Sequence, residues 1–379
     1  MNGNDTLKIE CINELSKVPE LAPIWDTLLA ESDVDFPFLT LDWITFWWQA
    51  FGHDSKMLIL IIKEYDEVIA IAPLRKTKMR WRGLTVTAIS FIANYYSNRT
   101  GLIIGNKAKD RKDIFYNIIK YLKEGHYHFD LLCLDLIEQN SRTDSAVNEA
   151  LRLSEMKYRK MSTDSSPYMF IDKDWDSYFK TRSRNFRSKL NRTRNELNRQ
   201  GAFEIIKYSA GDVSSAMQEV ISVSKKTWKY KKNTAIASKK ESLSFFTDLA
   251  KKASEKGWLN LWVLKLFDKP LSFVYNLMYK EKIYFLKVGF DEDYSKLSPG
   301  LFLTEASIKD AFINKYEVYD FLGENENYKL KWTSLCRDHC KYWIFNDTLC
   351  GNFLFFWESV IITIIKKIVF KYIIKRNGC

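Results

Sequence analysis

The 379 residues contain no glycine-rich dinucleotide fingerprint, no Walker sequence and no serine-centred nucleophile elbow. Those absences remove the dehydrogenase, NTPase and serine-hydrolase classes, each of which needs its own loop to cradle a phosphate or expose a hydroxyl. Cysteine is sparse and scattered. Cys11, Cys133, Cys336, Cys340, Cys350 and Cys379 lack the dense pairing of a secreted disulfide scaffold, which predicts a reducing compartment. Cys336, His339, Cys340 and Cys350 are zinc-ligand types, but Cys336 and Cys340 are four apart and His339 adjoins Cys340, a poor spacing for a tetrahedral site; no metal is expected. No basic-then-apolar leader opens the chain, so the protein is expected inside the cell.

With 46% hydrophobic and 15% aromatic residues, the chain has enough apolar material for two domains with cores of their own. The net charge of +11 points to an anionic partner: nucleic acid, a phosphorylated metabolite or an acidic membrane surface.

Alternation at residues 7–12 predicts an opening strand, and residues 21–30 a helix. Trp43, Phe46, Trp47 and Ala50 recur at helical spacing and predict a broad apolar face, read as core packing over a stacking platform. Residues 57–62 and 68–74 form a predicted hairpin about the polar turn 64–67; the device returns at 259–266 and 271–278. Each hairpin is followed by a strand, a helix and a strand with an acid amid apolar residues, Phe129-Asp-Leu-Leu-Cys-Leu-Asp135 and Val318-Tyr-Asp-Phe-Leu322. A repeated unit of this kind implies two mixed α/β lobes, each a mixed sheet flanked by helices.

The stretch 282–332 carries most of the functional signal. It reads as the strand Lys282-Ile-Tyr-Phe-Leu-Lys-Val-Gly-Phe-Asp291, a polar loop ending in Ser298-Pro-Gly300, a helix, and a strand closing on Phe321-Leu-Gly323 before Tyr328-Lys-Leu-Lys-Trp332. Ser298 is expected as the helix N-cap, with Pro299 and Gly300 behind it, so that the first-turn amides meet an anion.

This order of motifs resembles the second lobe of the GNAT-related acyltransferases of the CelD type, themselves similar to the two-lobed Fem peptidyltransferases. Upstream, Phe38-Leu-Thr-Leu-Asp-Trp43 with Phe46, Trp47, Trp48, Phe51 and Gly52 resembles the aromatic helix of the family's first lobe. The likeness spans roughly residues 35 to 335. It implies tandem GNAT-like lobes, acetyl-CoA as acyl donor co-substrate, and a donor site at Ser298, Pro299, Gly300, Leu301 and Lys287. Two departures are visible: the glycine-rich pyrophosphate loop is reduced to Gly300, and Asn98 stands where relatives carry an acid.

Direct acyl transfer to an amine needs a proton acceptor and donors for an oxyanion. Asp291, at a predicted strand end, is a candidate base, or equally an Asx-turn residue. Tyr294 and Tyr275 are candidate proton donors to the leaving thiolate, set against the many structural tyrosines expected in the chain. The resemblance carries over to Lys329, as a cation for a donor phosphate or the reacting carbonyl; a surface lysine is the plain alternative. Asn94, Tyr95 and Asn98 mark the first lobe's substrate loop. Residues 176–200 are the most charged of the chain and predict helix; Arg184 and Arg187 either face solvent on a connecting helix or hold a nucleotide- or lipid-linked substrate, and the resemblance places them beside the cleft between lobes.

Residues 353–374 are long enough to span a bilayer, but Glu358, Lys366, Lys367 and Lys371 lie inside, and a central lysine costs roughly 2.5–3.5 kcal/mol. Ser359, Thr363, Lys367, Lys371 and Lys375 recur every four residues instead, predicting a basic amphipathic helix that lies on an anionic membrane, caps the second lobe's core or meets a partner.

The expected organisation is a first lobe over 1–172, a basic connecting segment over 173–200, a second lobe over 201–346 and the tail over 347–379. The expected activity is transfer of an acyl group, acetyl foremost, from coenzyme A to the amine of an amino sugar or related cell-envelope polysaccharide precursor. The substrate would be a small molecule or a nucleotide- or lipid-linked sugar, with no DNA involved, in the cytoplasm or at the membrane's inner face. The alternatives are a Fem-type transferase using aminoacyl-tRNA, and a catalytically silent module binding an anionic glycan or membrane.

Overall fold

The computed structural model describes residues 7–361 except 82, 126 and 210. Three tight turns organise it. Tyr65–Asp66, Phe267–Asp268 and Lys280–Glu281 each hold two residues at φ between 47° and 64°, the left-handed geometry whose twist suits antiparallel strands.

The chain forms two compact units. The first contributes, in chain order, β1 (Leu7–Ile12), α1 (Ala22–Glu31), α2 (Leu41–Phe51), β2 (Ser55–Glu64), β3 (Glu67–Trp81), β4 (Leu84–Phe91), β5 (Ile103–Ile104), α3 (Arg111–Glu124), β6 (Leu131–Glu138), α4 (Arg142–Ser154) and β7 (Lys157–Ser162). The second follows with β8 (Ser166–Phe170), α5 (Trp175–Lys180), α6 (Arg184–Gln200), β9 (Phe203–Tyr208), α7 (Val213–Ser224), α8 (Trp228–Lys231), α9 (Lys240–Glu255), β10 (Leu259–Leu266), β11 (Lys269–Tyr279), β12 (Lys282–Phe290), α10 (Pro299–Ile313), β13 (Val318–Asp320), α11 (Asn327–Leu330) and β14 (Cys336–Arg337). The chain then returns to the first unit with β15 (His339–Phe345) and α12 (Leu349–Phe356). Residues of α2 up to Ile44 group with the first unit and Thr45–Phe51 with the second.

The first sheet runs β1-β2-β3-β4-β6-β15-β7, with β5 beside β3, and the second β14-β8-β13-β12-β11-β10-β9. The expected repeat is present in both: β2-β3-β4-α3-β6 and β10-β11-β12-α10-β13 each end in a parallel pair, β4 with β6 and β12 with β13. One face of the first sheet buries Leu60, Ile62, Ala72, Ile89, Leu132 and Tyr342 against Ile118 and Leu122 of α3 and Val147 of α4. The second core gathers Leu264, Val274, Phe285, Leu303, Tyr319 and Trp332. Trp43 and Trp47 of α2 are buried as expected, Trp43 edge-on to Phe38 at 4.9 Å and donating to Ser97 Oγ at 3.2 Å.

The units do not divide where composition suggested. Residues 166–170, expected in the first lobe, pair as β8 with β13 and β14 of the second sheet. β15, expected in the second lobe, inserts between β6 and β7, burying Cys340, Tyr342 and Ile344 in the first core. The segment expected as a connector is part of the second unit, because Phe186, Leu190 and Leu197 of α6 pack into its core.

The start of the expected tail helix is α12, continued by a wider π turn over Trp357–Ile361; Lys366, Lys367, Lys371 and Lys375 lie outside the described residues. Leu354 packs with Trp81, Val86 and Phe345, so this part covers the first unit, not the second lobe's core. Among the described residues no helix is long and apolar enough to cross a membrane.

Candidate active site

The second unit holds a cavity of about 330 Å³ between β12, the start of α10 and the short helices α8 and α11. Its position follows from two features of β12. Pairing with β13 ends at Tyr284, while β12 continues to Phe290. The register against β11 also slips after Tyr275, leaving Leu286 as an extra, bulged residue. Bulges of this kind redirect the strand that follows and recur beside active sites. Val288, Gly289 and Phe290 of the redirected segment form one wall, and Ser298, Gly300, Leu301 and Thr304 another. Gly300 permits the close approach: a Cβ there would stand 3.2 Å from Phe290 Cδ1 and 3.4 Å from Val288 Cγ2.

Ser298 does not cap as expected. It sits in the left-handed region (φ 49°, ψ 45°), ends the 3-10 turn Glu292–Leu297, and makes no side-chain capping bond. Its carbonyl accepts from the amides of Leu301 (3.1 Å) and Phe302 (3.2 Å). Pro299 has no N–H, and the Gly300 amide lies too early for a carbonyl of its own helix. The positive end of α10 therefore faces the cavity at Ser298 and Gly300.

Lysines surround this end. Lys189 of α6, Lys229 of α8 and Lys331 line the cavity together with one acid, Glu326, and Tyr328. Lys229 Nζ donates to the Val288 carbonyl at 3.1 Å, and burial lowers its pKa although Glu326 acts the other way. Lys287, one residue before the wall, is brought down to about 7, first by burial and then by the Lys229 and Lys329 ammoniums. Burial, and then Glu326, hold the Tyr328 hydroxyl well above its ordinary range.

Several expected site residues stand elsewhere. Tyr275 is fully buried, donates to the Phe246 carbonyl at 3.1 Å and titrates far above its usual range through burial; it is a core residue, not a proton donor to a ligand. Asp291 is 1% exposed, caps the turn by accepting from Asp293 N at 3.2 Å, and is engaged by Lys226 at 3.1 Å and Lys269 at 3.8 Å. That is the Asx-turn alternative, and Asp291 is not in the cavity wall. Tyr294 is held outside the wall as well, with Lys269 Nζ 3.4 Å from its hydroxyl.

Lys329 is neither a surface lysine nor part of the wall. It is 4% exposed, donates to the carbonyls of Leu322 (2.8 Å) and Glu324 (3.2 Å) and pairs with Glu326 at 2.7 Å. Arg184 is exposed at the start of α6, and Arg187 donates to the Arg182 carbonyl at 3.2 Å; the cation that α6 gives the cavity is Lys189. Ser298, Gly300 and Leu301 do line it, and buried Pro299 starts the helix between them. Lys229 was legible only as part of the lysine run Lys225-Lys-Thr-Trp-Lys-Tyr-Lys-Lys232, whose bland reading is a solvated face.

The first unit has its own cavity of about 920 Å³ at the corresponding parallel pair, β4 and β6. Arg75, Lys78, Arg80 and Lys341 oppose a single acid, Asp135, and Trp81 and Trp343 sit in its wall with rings 4.2 Å apart. Asn94 and Tyr95 line it, while Asn98 is turned to the Tyr96 carbonyl at 3.1 Å. Among the described residues no group of His, Cys, Asp and Glu side chains is arranged to hold a metal ion.

Residues 184–330 match the acetyltransferase (GNAT) domain family. The whole fold is similar to the crystal structure of FemX, with a TM-score of 0.58 and 12% identity over 93% of this chain and 99% of that one. Residues 184–330 therefore carry a GNAT-type acetyltransferase domain, within a two-unit fold like that of FemX. Two further solved structures have a similar fold. One is a conserved protein of unknown function from Bacteroides thetaiotaomicron (TM-score 0.53, 13% identity, 89% of this chain and 100% of that one). The other is the C-terminal domain of a putative lysylphosphatidylglycerol synthetase from Agrobacterium fabrum (TM-score 0.52, 12% identity, 90% and 95%). No curated protein matches by sequence. At these identities the likeness concerns the fold; the family match makes the second lobe an N-acyltransferase domain.

Proposed function

We propose that the second-unit cavity binds an acyl-coenzyme A, acetyl-coenzyme A foremost, and that the acyl group passes to the amine of an amino sugar or related cell-envelope polysaccharide precursor. One observation carries the donor reading: a cavity at the positive end of α10, lined by Lys189, Lys229 and Lys331 against the single acid Glu326. Oxygens of a diphosphate suit that combination of amide, helix end and ammonium groups. The apolar wall of Val288, Phe290 and Leu301 suits the arm that joins diphosphate to thioester.

In the proposed step the acceptor nitrogen attacks the thioester carbonyl, the carbon–sulfur bond breaks, and the thiolate leaves and is protonated. Lys287, whose pKa is brought down to about 7 by burial and the neighbouring lysines, takes the proton shed by the nitrogen. The first unit's cavity, with four cations and paired tryptophans, separately suits a sugar carried on a nucleotide or lipid diphosphate. Cys11, Cys133, Cys336, Cys340 and Cys350 are all free thiols, in keeping with action in the cytoplasm.

A second reading, an aminoacyl ester carried on RNA as donor, is favoured by the net charge of +11. Titration calorimetry with coenzyme A and acetyl-coenzyme A tests the first, followed by mass spectrometry of nucleotide amino sugars incubated with the donor. Lys189→Ala and Lys331→Ala are each expected to weaken coenzyme A about tenfold, a loss of roughly 1.4 kcal/mol. No coenzyme A binding, with an activity destroyed by ribonuclease, decides for the RNA-borne donor.

A further inference from the structure

The helix α12 is apolar on both sides, and among the described residues only one side packs against the rest of the unit. Gly351, Leu354 and Glu358 face inward, Leu354 into the small core with Trp81 and Phe345. Glu358, 2% exposed, accepts from Trp81 Nε1 at 3.3 Å and pairs with Arg159 at 3.6 Å, while Lys157 Nζ donates to Asn352 at 2.6 Å. These bonds fix which way the helix is turned.

The other side presents Leu349 (94% exposed), Phe353 (45%), Phe356 (53%) and Val360 (40%). Steps of four, three and four residues put them in one stripe. A helix apolar all round is normally buried on every side, so this stripe needs an occupant.

The sequence beyond it identifies one. After Glu358 the chain has no acidic residue through position 379, yet it carries Lys366, Lys367, Lys371, Lys375 and Arg376 among Ile, Val, Phe and Tyr. A protein partner would ordinarily be met with both signs of charge around an apolar patch, whereas an apolar stripe beside charge of one sign fits lipid with anionic headgroups.

We propose that the outward face of α12, together with the basic residues that follow it, docks this acyltransferase on an anionic phospholipid surface. The protein lies on the bilayer with Phe353 and Phe356 entering the headgroup boundary, and the basic sequence after position 361 adds attraction to anionic lipid. The inference does not depend on the identity of the acyl donor.

The test is sedimentation of the full chain with vesicles of equal parts phosphatidylglycerol and phosphatidylcholine, against vesicles of phosphatidylcholine alone. Binding to the anionic vesicles is expected. It should fall at least about tenfold in Phe353→Ser/Phe356→Ser, and likewise in Lys366→Glu/Lys367→Glu. Coenzyme A affinity should not change in either variant, and a thermal melt of each shows that it is folded when it is tested.

Equal binding by variants and wild type overturns the proposal, as does equal binding to both vesicles or to neither. So does a dimer in analytical ultracentrifugation that Phe353→Ser/Phe356→Ser dissociates, since the stripe would then belong to a second copy. Coenzyme A titration in the same preparations keeps a failure here separate from a failure of the donor reading.

Discussion

Replacing Lys329 by Met asks whether the Tyr-Lys-x-x-Trp motif serves chemistry or architecture. Leu322 lies in the left-handed region at φ 54° and Gly323 at φ 56°, a conformation costly for leucine unless its surroundings hold it. Lys329 supplies that hold through its bonds to the Leu322 and Glu324 carbonyls. Losing a charged donor to the buried Leu322 carbonyl costs about 1.5–3 kcal/mol. Glu324 is exposed, so water replaces its bond at little cost, and the half-exposed Glu326 pair adds only about 0–1 kcal/mol. The sum is about 1.5–4 kcal/mol, or roughly 3–16 °C in the second unit's thermal midpoint at about 2–4 °C per kcal/mol. Circular dichroism melts and steady-state kinetics of the same preparation check this. If Lys329 is a clamp, turnover falls together with stability and recovers at temperatures well below the new midpoint. An unchanged melt with turnover reduced a hundredfold at every temperature would refute the clamp and return Lys329 to the reaction.

Lys287→Met should lower turnover by about 10²- to 10⁴-fold and abolish the rise in rate as pH passes through about 7, where the wild-type amine loses its proton. The same group links to stability with a definite sign: its folded pKa lies below that of an unfolded lysine, so the unfolded chain binds more protons from about pH 7 to 10.4. Wild-type stability gains over that window, and the Met variant, lacking the gain, should be the more stable protein at pH 7 and below; denaturant midpoints across pH measure this, and parallel curves would remove the assignment. In the first unit, burial pushes the Asp144 carboxyl up, but Lys160, Tyr342, the Asn140 amide and Cys340 together bring it below its ordinary value. Its contribution is present above the unfolded carboxyl's pKa and fades as pH falls through the depressed one, so Asp144→Asn should flatten the acid limb of stability and cost about 2–3 kcal/mol at pH 7, discounted because Lys160 is partly exposed. An acid limb identical to wild type would show that this network carries no linkage.

Local order was legible in the sequence, and long-range closure was not. The hairpins at 259–266 and 271–278 were found because alternation and a polar turn are local signals, and the repeat followed from their order. β15 was misplaced because its alternation fits either sheet: what sends it to β6 is pairing across the whole second unit, Trp343 opposite Cys133 and Ile344 opposite Leu132. No window of sequence reports a contact of that separation. Likewise the connecting segment left two readings open, a solvated helix or a substrate clamp, and the seam of Phe186, Leu190 and Leu197 that packs into the second core decides its place.

The site divides along a different line. Backbone features were found, because proline, glycine and a strand end announce where a helix begins; the Ser298–Leu301 segment is in the cavity wall except for buried Pro299. Side-chain roles were missed wherever the chosen residue had a better use at home. Asp291, at a strand end, is committed to Lys226 and its own turn, and Tyr275, in mid-strand, to the Phe246 carbonyl, so both serve folding. The lysines that do face the cavity had no motif to mark them, since Lys189, Lys229 and Lys331 come from three separate segments. What distinguishes them is a shared deficit of acid, and that appears only once the fold has gathered them around Glu326. It follows that charge reversal at Glu326, and not at Asp291, is the substitution that would most alter the field at the start of α10: it removes the only carboxylate in that wall and leaves Lys229 and Lys287 facing each other with less to offset them.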